Sequence, residues 1–448
     1  MSLHSLARFA AAAVVLVLGA TVLGTAALDE TPPPPPAAPG DDAAAPAIDL
    51  KALESLAASV RELPFHRPVD KYRVSREEVL PLLAAQVDED LPEGGSADEE
   101  RLLAELELLP FQYPLRTKLL ALLEEQVAGF YDPRTRRLVV VEDAGEEIEG
   151  LAQLMLPAIY GHELLHALAD QHFDLKRLIL APAADGWDDV VMARRALAEG
   201  DATLGMLIMM FKQQGLTLTP EGLPTGEALR SLIRTTVAFP ELEQAPPYLK
   251  AQLIEPYLLG LERVGDAWKA GGWAAVNALW ADPPDSTEQL LHPHRTDDEP
   301  TVVEPPPLPE GASVVTLMQL GELGLRQWLE PQVGPDRANI AADGWDGDMV
   351  RLVRGADGGE RIEVFTTWDT DLDADEFVVA ADSWLRKARK EEVDGRSAWS
   401  IGQRGREVSL WMRTGAARDP RVWVEPRPAR ASCGCSPRSM AAAAASRT

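Results

Sequence analysis

The stretch Tyr160-Gly161-His162-Glu163-Leu164-Leu165-His166-Ala167-Leu168-Ala169-Asp170 decides how the rest of the chain is read. Its leucines and alanines mark an apolar helix. Residues four apart share a helix face, so His162 and His166 can reach one metal ion. Glu163 projects about 100° round the axis, beside the ion and not onto it. Two neutral imidazoles hold a metal, and a free carboxylate takes a proton from water, which is what a hydrolytic zinc site needs. The chain has only seven histidines, and two of them stand here. A chance match to this spacing is on the order of one per cent. Incidental histidines on so apolar a helix would need buried polar partners of their own.

Two histidines leave the site incomplete, because catalytic zinc usually has three protein ligands. One candidate is His172, at the metzincin spacing, but Ala169 stands where that pattern has glycine. Glycine lets the chain leave the helix and swing the third histidine back. Alanine favours continuation, and at ~100° per residue His172 then lies about 280° round from His162. The other candidate is Glu199, in Ala198-Glu199-Gly200-Asp201-Ala202 at the expected end of a helix from Trp187 to about Gly200. A ligand from a separate helix tolerates variable spacing. Glu199 is the expected third ligand and His172 the alternative. Asp170 and Asp201 are candidates to orient a ligand imidazole.

Composition narrows the partners. The chain has 448 residues, 46% hydrophobic, with a net charge of −28. That is enough for two domains. No basic stripe is present, so nucleic acid is not an expected partner. Arg8 and the apolar run from Phe9 to about Leu28 read as an export signal cut near Ala26 or Ala27, or as a retained membrane anchor. Residues 1–27 are assigned to it, and the expected location is exported: periplasmic, secreted or membrane-tethered. Residues 28–48, with Pro32 to Pro36 in a row, read as a stiff extended linker. Cys433 and Cys435 are the only cysteines, which excludes a disulfide framework.

Residues 49–300 read as a mainly helical domain. Helical periodicity is expected from Leu50, over Arg76–Val87, Ala97–Leu109 and Leu115–Val127, then over Glu146–His172, Glu227–Val237, Pro246–Gly260 and Val264–Leu279. Leu204–Phe211 is expected as a separate buried helix. Between these, Phe130-Tyr131-Asp132-Pro133 turns into a strand over Arg137–Val141, which either offers an edge to an extended peptide or closes a short structural hairpin. Ser286 or Thr287 caps a short helix stopped by Pro293. Residues 301–312 read as a proline-rich linker and 427–448 as a disordered tail. Residues 313–426 read as a small α+β domain: a helix over Val314–Leu329, then ββαββ.

Four motifs in order resemble predicted bacterial exported zinc metallopeptidases of gluzincin type. They are Gly129 to Pro133, His162 to Leu175, Ala196 to Ala202, and Ser286 to Pro293. Ala169 departs from the family, where Gln is more frequent. The resemblance implies a zincin-like fold and draws attention to Glu288 and His292. The reading is then an α+β zincin-like catalytic domain with Zn2+ on His162, His166 and Glu199 and with Glu163 as general base. His292 or Tyr131 is the candidate donor to the tetrahedral oxyanion. The substrate is a peptide or protein outside the cytoplasm. The alternative is an inactive, zinc-stabilised envelope scaffold.

Overall fold

The computed structural model describes residues 48–90, 95–142, 151–180, 188–224, 228, 230, 240–295, 297–417 and 422. The expected signal or anchor, nearly all of the first linker, the tail with both cysteines, and almost all of Glu227–Val237 lie outside them. Among the described residues no helix is long and apolar enough to cross a membrane.

The fold is α+β. The first part consists of α1 (Leu50–Arg61), β1 (Asp70–Val74), α2 (Arg76–Asp90), α3 (Gly95–Glu105), α4 (Leu115–Gln126), β2 (Gly129–Asp132), β3 (Arg137–Val141), α5 (Leu151–Phe173), α6 (Asp188–Gln213), α7 (Pro240–Gln244), α8 (Pro247–Ala281) and α9 (Glu288–Leu291). A π-helical turn, Lys176–Leu180, follows α5. The strands form one sheet in the order β1-β3-β2, with β1 parallel and β2 antiparallel to β3.

Several expectations change here. β3 is the middle strand, so it has no free edge for a peptide; β2 is the edge beside α5, and all four of its residues are buried. Pro157 lies inside α5 without ending it. α6 runs through Gly200 instead of stopping there, and it absorbs the expected Leu204–Phe211 helix. α8 is one helix, broken by non-helical backbone at Gly271 and Gly272 and not near residue 261.

α6 is the core of this part. From Asp188 to Phe211 every residue but Arg194 and Ile208 is buried. It crosses α8 where Gly200 meets Gly260. A Cβ on Gly200 would stand 2.2 Å from the Gly260 carbonyl carbon and oxygen, and one on Gly260 would stand 1.8 Å from the Ala196 oxygen. Only two glycines let the backbones come this close. Gly200 is therefore a packing residue, which is why it does not end the helix.

The second part adds β4 (Ser313–Met318), α10 (Gly321–Val333), α11 (Pro335–Ala342), β5 (Trp345–Arg354), β6 (Glu360–Trp368), α12 (Asp371–Ala388), β7 (Glu392–Val393), β8 (Arg396–Ser397), β9 (Trp399–Arg404) and β10 (Glu407–Arg413). Five strands form an antiparallel sheet in the order β4-β5-β6-β10-β9. The expected helix over Val314–Leu329 is instead β4 followed by α10. The β-branched run Val314-Val315-Thr316 favours the strand. α12 starts at a capping box, in which Thr370 and Asp373 satisfy each other's backbone N–H groups.

The two parts share buried polar contacts. Arg389 donates to Glu105 at 2.7 Å, with both side chains almost fully buried. At the N-terminal end of α6, the Thr287 backbone N–H and hydroxyl both donate to Asp189, at 2.9 and 2.7 Å. Across the join, Asp188 accepts from Gln319 N–H and the Thr287 hydroxyl from Leu323 N–H; within the second part, Asp348 accepts from Leu320 and Gly321 N–H. Burial outweighs the Thr287 donors and pushes the Asp189 carboxyl up to about 8. An aspartate of the unfolded chain loses its proton near pH 4. Between those values the folded state holds the extra proton, so stability falls as pH rises. Asp189→Asn removes that contribution, and its melting temperature should drop less between pH 5 and pH 8 than that of the wild type. Equal drops would mean that Asp189 is ionised throughout.

Candidate metal centre

α5 presents His162 and His166 on one face, and α6 packs against it. His162 Nε2 stands 3.0 Å from His166 Nε2 and 3.2 Å from Glu199 Oε2, and His166 Nε2 stands 3.3 Å from the same oxygen. The three residues form a group that could hold a metal ion. Gly161 and Gly205 help the two helices to close up: a Cβ on either would stand 2.9 Å or less from Met209 or Leu165 of the facing helix.

The electrostatics call for a positive charge at this point. Burial pushes the His162 imidazole down to about 4, against the pull of Glu199. Burial also disfavours charge on His166, but the Glu199 carboxylate overrides it and raises that imidazole. Burial alone would raise Glu199; the two imidazoles reverse the sign and hold it well below the carboxylate range. An ionised carboxylate, almost wholly buried, faces two ring nitrogens. It needs a cation among them, whether proton or metal.

Glu163 stands beside the group. Its Oε2 accepts the Tyr131 backbone N–H from β2 at 2.8 Å. Its Oε1 is buried and has no partner among the described residues. Burial pushes this carboxyl up to about 7, against the opposing effects of His166 and the Tyr131 N–H.

The structure separates the other candidates from the group. The Tyr131 hydroxyl donates to Asp170 at 2.8 Å and is turned away from the oxyanion role. Burial, with Asp170 adding to it, pushes this phenol far up. Asp170 also accepts Leu175 N–H, so it closes the end of α5 and orients no imidazole. Asp201 is gripped at both oxygens by Arg61, at 2.7 and 3.0 Å, and accepts from Trp280 Nε1 at 2.6 Å. That clamp ties α1, α6 and the end of α8 together. His172 Nε2 pairs with the Pro64 carbonyl at 2.8 Å, and its ring lies against His66. His292 pairs with Glu322 at 2.9 Å, within a separate cluster of Glu288, Asp343, Arg295 and Arg326. Thr287 serves Asp189, and of the two expected caps it is Ser286 whose hydroxyl accepts a backbone N–H, from Gln289 at 3.2 Å, at the start of α9.

Sequence reasoning missed Tyr257. It is fully buried on α8, and its ring stacks on His162 at 6.2 Å between centroids. Its hydroxyl lies toward the Glu199 carboxylate, without a hydrogen bond of good geometry. Burial pushes its pKa well up, so it is a neutral phenol. Nothing local in Pro256-Tyr257-Leu258 marks this role, because the helix crossing creates it.

A family model described as a domain of unknown function (DUF8575) matches residues 314–430, the part that carries the five-stranded sheet. It does not reach the histidines. No curated protein and no solved structure matches the chain.

Proposed function

We propose that the protein is a zinc-dependent metallopeptidase of zincin-like fold, in which His162, His166 and Glu199 hold the metal and Glu163 is the general base. The donor spacing of 3.0, 3.2 and 3.3 Å carries this reading. Ligands about 2.0–2.1 Å from a tetrahedral zinc stand roughly 3.3–3.4 Å apart. The three atoms would fit one face of such a tetrahedron. Two nitrogens and one carboxylate are the donor set of hydrolytic zinc sites. The resemblance of the four motifs to gluzincin-type peptidases supports the same choice.

Zinc, when bound, supplies Lewis acidity, which makes water more acidic and polarises a carbonyl. The remaining work belongs to the chain. The Tyr131 N–H pins Glu163 by Oε2 and leaves Oε1 free to take a proton from the attacking water. Glu163 then passes that proton to the departing amine nitrogen, so that the peptide C–N bond is replaced by a carboxyl and an amine. The apolar run of residues 9–28 supports action outside the cytoplasm.

Burial favours a second reading. His162 is 0% exposed, Glu163 2% and Glu199 5%. A metal so enclosed also suits an envelope scaffold stabilised by zinc without turnover. Purified full-length protein assayed on an unfolded protein and a broad peptide library separates the two. Zinc-dependent cleavage supports the peptidase. Stoichiometric zinc with no cleavage of any peptide leaves the scaffold.

A further inference from the structure

The Gly200–Gly260 crossing does more than pack two helices. Glu199 precedes Gly200 by one residue, and Tyr257 precedes Gly260 by three, just under one helical turn. The crossing therefore fixes the phenol against the carboxylate from a helix that supplies no ligand. The Tyr257 side chain is wholly enclosed behind His162, so no substrate group can reach it. Its hydroxyl is buried and has no hydrogen-bond partner among the described residues, which is costly unless a partner is found in some state of the site. The acceptor beside it is Glu199.

We infer that Tyr257 is a positioning residue for the metal ligands: its hydroxyl donates to the Glu199 carboxylate when that carboxylate turns onto the metal, and its ring fixes the plane of the His162 imidazole. This rests on the zinc reading above. A carboxylate ligand offers two oxygens, and a donor on one directs the other to the metal. Partners of this kind are typically worth 10–100-fold in metal affinity.

The test is Tyr257→Phe in the full chain, which keeps the ring and removes only the oxygen. Tyr248→Phe is the control. It removes another buried, unpartnered hydroxyl from the same helix, one that faces Asp188 and not Glu199. Zinc dissociation constants come from competition with a chromophoric chelator, and the visible spectrum of the Co2+-loaded protein reports the ligand field. The expected result is zinc binding weaker by roughly 10-fold or more in Tyr257→Phe, with an altered Co2+ spectrum, and wild-type values in Tyr248→Phe. Wild-type affinity in Tyr257→Phe overturns the inference and leaves the zinc site standing. Equal weakening in both variants also overturns it, because the effect is then general to α8. If the wild type takes up no zinc, the metal centre and this inference fall together.

Discussion

Glu163→Gln leaves the protein folded and zinc-loaded but slows peptide hydrolysis by roughly 10²- to 10⁴-fold, the usual contribution of a general base. The substitution is close to isosteric. The amide oxygen of Gln can still accept the Tyr131 N–H that now holds Glu163 Oε2 at 2.8 Å. Burying a neutral amide is easier than burying a carboxylate, so stability should not suffer. Glu163 is not one of the three convergent donors, so the metal should stay. The variant loses only the basic Oε1, which is buried and unpartnered. Steady-state cleavage of an unfolded protein, run beside zinc analysis of the same sample, checks both halves. A variant with rates within a few-fold of the wild type would remove Glu163 from the chemistry. A variant that loses its zinc would mean that the carboxylate serves the metal directly.

Gly260→Ala sets two effects of opposite sign against each other. Alanine is the better helix former by about 1 kcal/mol, so propensity alone predicts a gain. The new Cβ, however, would stand 1.8 Å from the Ala196 carbonyl oxygen. That neighbour is backbone of a buried helix and has no rotamer to change. Relief requires α6 and α8 to separate, and overpacking of this kind costs about 3 kcal/mol or more. The steric effect should win, giving a net loss of at least about 2 kcal/mol in urea unfolding and weaker zinc binding as Glu199 moves. Gly265→Ala on the same helix is the control, since there the nearest atom is a flexible Leu223 methyl at 3.3 Å. It should be neutral to stabilising by up to about 1 kcal/mol. A Gly260 variant as stable as the wild type would mean that the helices do not meet at this crossing.

Local chemistry made much of this protein legible. The α-helical period marked α1, α2 and α4 to within three residues of their observed ends, while α3 stops at Glu105, four residues short of the expected Leu109. The angular argument at Ala169 kept α5 helical through Phe173, and His172 accordingly turns to the Pro64 carbonyl. What escaped reading depends on partners distant in the chain. β1 is five residues, three of them charged, and it becomes a strand only because β3, about 67 residues on, offers its edge. Gly200 looked like a helix end because glycine is common there, and only Gly260 reveals it as a contact. The free edge of β3 was an error of the same origin, since one strand alone cannot show that it has two neighbours. Tyr131, expected as an oxyanion donor, reaches Glu163 only through its backbone N–H; its hydroxyl donates to Asp170. Glu288 and His292 drew attention as a motif, yet their partners are Arg295 and Glu322 at the join to the second part.

The central claim is that α5 and α6 together hold one zinc through His162, His166 and Glu199. Zinc content per chain, measured on purified wild type, Glu199→Ala and His172→Ala, tests it most directly. The account predicts one zinc per chain in the wild type, most of it lost in Glu199→Ala, and full retention in His172→Ala. Full zinc in Glu199→Ala with loss in His172→Ala would contradict it.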